Sequence, residues 1–187
     1  MNSFYSEKEL MQIGFQSIGN NIMISRKSSI YSPDKIKIGN NVRIDDFCIL
    51  SGNIEIGNNI HIAAYSALYG GTAGIFLKDF VNISSRVCIY AVSDDFSGRY
   101  MTSPLIPEKY KNTINQSVTI ERHVVIGTGS TILPGVCIRE GSAIGAMSLC
   151  KNSTDKWTVY AGSPIKKIYE RDKNILALER CYIDDHD

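Results

Sequence analysis

Aliphatic residues recur every six positions along most of this chain. Ile38, Ile44, Leu50, Ile56, Ile62 and Leu68 keep the spacing without a fault. It returns at Leu77, Ile83 and Ile89 after one insertion, and at Ile120, Ile126, Ile132, Ile138 and Ile144 after a longer one. Four places after a periodic residue a small or β-branched one is common, as at Val42, Cys48, Ser66, Val87, Ser130 and Ser148. Gly or Asp often follows it directly, as at Gly39, Asp45, Gly57, Gly127 and Gly145. A helix repeats at 3.6 and a half-buried strand at 2, so neither gives this pattern. A period of six with turn residues predicts short strands joined by tight turns. Three strands make a triangular coil of about eighteen residues, stacked on the next. Each periodic residue points into the prism, and neighbouring coils satisfy one another's backbone groups.

Both ends depart from the period. The stretch YSEKELMQIGF holds a Ser6-x-x-Glu9 capping box, with Leu10, Met11 and Ile13 at helical spacing. It predicts a short helix within 1–17 that covers the first coil. The stretch PIKKIYERDKNILALER predicts a helix within 165–187, with Ile165, Ile168 and Tyr169 on one face. The last residues, including His186, are expected to fray. The repeats fill 18–164. Two stretches leave the period: YGGTAG at 69–74, and an external loop at 94–117. A loop that long signals function or disorder. The whole chain is expected to be one all-β domain.

Composition narrows the function. The chain has 187 residues and a net charge of +1, which argues against nucleic acid as the main partner. No apolar run approaches the roughly 18 residues of a membrane helix. MNSFYSEKEL lacks the basic-then-apolar pattern of a secretory signal. The five cysteines are scattered, with no C-x-x-C pair, so a disulfide framework or zinc ribbon is not expected and a reduced cytosol is the simplest setting. No metal site is expected.

The repeats resemble the hexapeptide-repeat acyltransferases, which fold as left-handed parallel β-helices. IGTGSTILPGVCIREGSAIGAMS resembles that family's I-G-x-x-x-x-I-x-P-G-V-x-I-G run, and VYAGSPIKKI resembles its A-G-x-P-A-K-x-I ending. The N-terminal half, YSEKELMQIGFQSIGNNIMISRKSSIYSPDKIKIGNNVRIDDFCILSG, is similar to a subgroup that works on sugars in the synthesis of bacterial surface polysaccharides, O-antigen among them, and that includes acyltransferases of nucleotide-linked amino sugars. The resemblance implies a cytoplasmic homotrimer with active sites between prisms, and a coenzyme A thioester (acetyl-CoA or another acyl-CoA) as co-substrate. It puts Thr128 and Ala146 against the pantetheine arm, and Lys151 and Asn152 beside the cofactor. Pro164, Lys166 and Lys167 fall in the ending that lies near the adenosine, where the lysines would bond phosphates. A solvated helix face is the other reading of these lysines.

Many members of the family carry a base histidine in a loop leaving the β-helix. By motif that position is Asp94 here, or Asp95 if the loop shifts by one. A hydroxyl acceptor needs a base poised near neutrality. A neutral amine attacks with its own lone pair, so a carboxylate suffices to orient it and take the late proton. Asp94 therefore points to an amino-sugar acceptor, with O-acetylation of a glycan or glycoside as the alternative. Asp94 and Asp95 starting a polar turn is the plainer reading. His61, just before Ile62, is a second catalytic candidate, expected on an outer face and able to bond Asp94 or the acceptor. His123 occupies a similar place. Ser84 is placed to position the acceptor or polarise the thioester, though small turn packing explains it equally. Ser85, Arg86, Tyr90 and Asp95 complete the expected acceptor site. In the loop, Arg99, Tyr100, Lys109, Tyr110 and Lys111 are candidates for phosphate and ring contacts, and Glu108 for a sugar hydroxyl. A zinc hydratase on the same scaffold needs three ligand histidines, which the spacing does not offer. A non-catalytic β-helix is the remaining alternative.

Overall fold

The computed structural model describes residues 3–185. It is a parallel β-solenoid of about seven coils with a helix at each end. The periodic residues form three columns. Ile38, Ile56, Leu77, Ile120 and Ile138 pair coil to coil on the first face. Ile44, Ile62, Ile83, Ile126 and Ile144 do so on the second. Leu50, Leu68, Ile89, Ile132 and Cys150 do so on the third. All fifteen are at most 3% exposed. The interior is thus a stack of aliphatic layers, and that burial is the main stabilising term.

The corners explain the residues between the columns. At the first corner, Asn21, Asn41 and Asn59 hold left-handed backbone, with φ of 55°, 55° and 56°, which asparagine tolerates better than most residues. Their side chains bond upward: Asn21 Nδ2 donates to Asn41 Oδ1 at 2.9 Å, and Asn41 Nδ2 to Asn59 Oδ1 at 3.0 Å. Gly39 precedes this corner because a Cβ there would lie 2.6 Å from the Gly57 carbonyl oxygen. At the second corner, buried serines cap turn carbonyls: Ser66 Oγ donates to the Ser84 oxygen and Ser130 Oγ to the Gly145 oxygen, each at 3.0 Å.

Helix α1 (Glu7–Ile13) starts at Ser6 with the capping box formed. Leu10 joins the core, so α1 closes the first coil. Arg26 makes two bonds to Glu9, at 2.6 and 2.7 Å.

The C-terminal end differs from the sequence expectation. Lys166–Glu170 is a strand, not a helix; it pairs antiparallel with Thr158–Ala161. The last coil leaves an open strand edge, and the chain turns back to pair with it. Ile168 and Tyr169 consequently remain exposed, at 55% and 61%. Helix α2 begins only at Ile175 and runs to Asp184. The loop after the third face is pinched at its neck by an antiparallel pair, Val92–Ser93 with Ile114–Asn115. The coils resume at Val118–Ile120. No helix among the described residues is long and apolar enough to cross a membrane, and all five cysteines are free. His186 lies outside the described residues.

Leu68, fully buried in the third column, sets a test of the stacking. Leu68→Ala is expected to cost about 2–5 kcal/mol in denaturant unfolding. Met11→Ala, at a side chain 76% exposed, is expected to stay within about 0.5 kcal/mol.

Candidate active site

Two neighbouring acids open the loop, and hydrogen bonding separates them. Asp95 Oδ1 accepts from the Ser97 amide at 2.7 Å and from Ser97 Oγ at 2.5 Å. Those bonds, the side-chain one foremost, hold its carboxyl below the usual range. Asp95 is therefore a turn former. The Asp94 carboxylate is exposed and has no partner among the described residues. The adjacent serines divide in the same way. Ser85 Oγ lies 3.0 Å from Thr128 Oγ1, which donates to the Ser85 carbonyl at 2.6 Å. Ser84 uses its backbone for coil stacking, donating to Ile126 and accepting from Ser66. Its hydroxyl is unpaired among the described residues. Asn82 and Ser84 flank buried Ile83, so strand alternation turns both outward on the second face.

Asp94 lines two adjoining cavities. One, of ≈ 330 Å³, is lined by Tyr69, Ser103, Pro104, Lys111 and Thr113. The other, ≈ 720 Å³, runs past Phe96 and Gln116 to Leu133, Leu149 and Lys151. Tyr90, Val92 and Ser93 border both. The Tyr90 ring stacks on Tyr69, centroids 5.1 Å apart. Burial pushes the Tyr90 hydroxyl up from its ordinary value. The larger cavity is mostly apolar, crosses successive coils of the third face, and has both the Asp94 carboxylate and the Lys151 ammonium in its wall.

The expected site residues sort into two groups. Tyr90, Asp94, Asp95, Arg99, Glu108, Tyr110, Lys151 and Asn152 belong to the third face and the corner beyond it, where the loop leaves. Ser84, Ser85, Arg86, Thr128 and Ala146 belong to the second corner, at the far edge of that face. Pro164 follows the last turn of this second corner. Arg86 lies 5.4 Å over the Tyr65 ring, which stacks on Phe47. Lys166 and Lys167 are exposed on the C-terminal strand, with Lys167 Nζ 3.9 Å from Glu170.

The histidines sit away from the loop. Within one chain His61 bonds Asp45 rather than Asp94. Its Nε2 lies 2.8 Å from Asp45 Oδ2 on the second face, and Arg43 Nε bonds the other oxygen at 2.7 Å. His123 is not at an outer surface. Only 2% exposed, it stacks on Phe80, with the Trp157 ring tilted at 34° beside it. Its Nε2 lies 2.8 Å from Glu179 of α2, which also pairs with Arg122. Gly141 permits this arrangement, since a Cβ there would lie 2.3 Å from the Trp157 ring. His123 therefore anchors α2 and cannot reach a neighbouring groove. Tyr69, which the sequence reading did not single out, and Lys111 line the smaller Asp94 cavity. Tyr69 was findable from its register with Tyr90.

Residues 35–70 match the family model described as bacterial transferase hexapeptide (six repeats). The chain is 46% identical over 183 residues to an Escherichia coli dTDP-4-amino-4,6-dideoxy-D-glucose acyltransferase, covering 96% of this chain and 95% of the relative. It is 54% identical to AntD, an N-acyltransferase from Bacillus cereus. The S84A variant of AntD, solved with dTDP-4-amino-4,6-dideoxyglucose and coenzyme A, superposes with a TM-score of 0.97 over 99% of this chain and 100% of that one. The D94N variant, solved with dTDP and coenzyme A, gives the same score over 98% and 100%.

The Asp45 cluster carries a pH signature. Burial pushes the Asp45 carboxyl up, but the hydrogen bonds from His61 and Arg43 outweigh it, leaving it below its ordinary value of 3.8. Its stabilising contribution is complete above that ordinary value and is lost as pH falls through the lowered one. The urea midpoint should therefore fall on acidification below about pH 4, and fall less in Arg43→Ala.

Proposed function

The chain belongs to the hexapeptide-repeat acyltransferases, and on that premise we propose that it moves an acyl group from a coenzyme A thioester to the amino group of a dTDP-linked 4-amino-4,6-dideoxy sugar. The observation that carries this reading is the unpaired Asp94 carboxylate in the wall of a mostly apolar cavity that also holds Lys151. The apolar lining suits the pantetheine arm, and Lys151 suits a phosphate. Serine and aspartate stand in this chain at the numbers replaced in the AntD variants, 84 and 94.

The chemistry asks little of Asp94 before attack. It accepts a hydrogen bond from the neutral amine and aims the lone pair at the thioester carbon. As the C–N bond forms, the nitrogen becomes acidic and Asp94 takes its proton. The tetrahedral adduct collapses with loss of the thiolate, which receives that proton. The Ser84 hydroxyl is free to donate to the developing oxyanion. Asp45 engages only the Nε2 of His61, and these steps assign it no proton to carry.

Ser84 and Asp94 stand on different edges of one prism, with the third face between them. A site using both requires two copies, so the reading includes a homotrimer in which one prism's second face meets the next prism's loop. The reaction would take place in the cytoplasm, where acyl-CoA and nucleotide sugars are made, and would serve surface-polysaccharide synthesis.

Thiol release from acyl-CoA in the presence of dTDP-4-amino-4,6-dideoxyglucose tests the activity. Asp94→Asn is expected to lower turnover by about 10²–10⁴-fold while coenzyme A still binds. Release with hydroxyl acceptors alone, or full turnover by Asp94→Asn, contradicts the reading. Sedimentation should give a trimer.

A further inference from the structure

The loop carries three cations on the stretch 99–111, Arg99, Lys109 and Lys111, and the structure sets one apart. Arg99 turns back on its own loop, with Nε 3.1 Å from Ser97 Oγ. Lys109 lies 4.8 Å from the Tyr110 ring centroid. Lys111 instead faces the smaller cavity that Asp94 also lines. Its side chain is only 8% exposed, whereas its ion-pair partner Glu108, 2.6 Å away, is 84% exposed. A buried ammonium is costly unless well compensated. Here the compensating carboxylate is a surface group that returns to water easily. An anion able to enter the cavity can replace it.

We propose that Lys111 is the receptor for the diphosphate of the acceptor, with Glu108 covering it when the site is empty. This rests on the proposed nucleotide-sugar reading. In such an acceptor the amine and the anomeric phosphate sit on opposite carbons of one six-membered ring. Two groups lining one cavity of ≈ 330 Å³ can therefore hold both ends: Asp94 the amine, Lys111 the phosphate nearer the sugar. The phosphates of coenzyme A lie at the other end of its arm and do not compete. Exchange of Glu108 for phosphate is a substitution of one anion for another, with no covalent change. Tyr69 and Tyr90 wall the cavity beside the sugar ring and supply its apolar face.

The test compares the dTDP amino sugar with the phosphate-free methyl glycoside of the same amino sugar. Lys111→Met is expected to raise KM for the nucleotide sugar about 10- to 100-fold, the loss of a charged hydrogen bond, with kcat and KM for acyl-CoA nearly unchanged. Turnover of the methyl glycoside should not change. Calorimetry should show dTDP binding weakened by a similar factor. Glu108→Gln, a surface change, should tighten dTDP binding and lower KM. Equal losses on both acceptors, or dTDP binding unaltered in both variants, would overturn the assignment. Failure of the wild-type protein to acylate either acceptor would instead sink the proposed function, and the dTDP titrations would still judge Lys111.

Discussion

Coil-to-coil hydrogen bonding is the constraint on which the rest of this structure depends. Each side of each coil must present its amides and carbonyls in register with the coils above and below. The columns through Ile44, Ile62, Ile83, Ile126 and Ile144 show that register held across both insertions. A side of the prism cannot lengthen without breaking the columns. Extra residues must leave at corners, and they do so at the neck formed by Val92–Ser93 and Ile114–Asn115. The scaffold thus dictates where a functional loop is allowed.

The same rigidity decides which side chains are free for chemistry. Turn and corner geometry consumes Asp95 through Ser97 and Ser85 through Thr128. Their neighbours Asp94 and Ser84 are left unpaired. Flat faces also keep these two apart in one chain. In the proposed enzyme a second prism is therefore part of the active site, because no bend of a single prism can close the distance while the columns stay in register.

Much of the fold was legible in the sequence because it is periodic and local. The columns, the Ser6–Glu9 cap and the position of the loop all follow from spacing. What was not legible depends on distant partners. Lys166–Glu170 has helical spacing, yet the open edge of Thr158–Ala161 draws it into a strand. His123 looked like an outer residue, but Phe80, Trp157 and Glu179 enclose it. The candidate site was legible as a segment and ambiguous within it. Neither spacing nor motif separates Asp94 from Asp95; the bonds to Ser97 do. Lys111 stood among several loop cations until burial distinguished it.

The central claim is that the reacting site combines the Ser84 face of one prism with the Asp94 loop of another. Complementation tests it most directly. Ser84→Trp, which blocks the outer face, and Asp94→Asn are each made inactive alone, then co-expressed so that mixed oligomers form. A mixed interface pairs intact Ser84 from one chain with intact Asp94 from the other, so the account predicts a clear recovery of acyl transfer. Mixed oligomers that stay as inactive as their parents, or full activity of Ser84→Trp on its own, would contradict it.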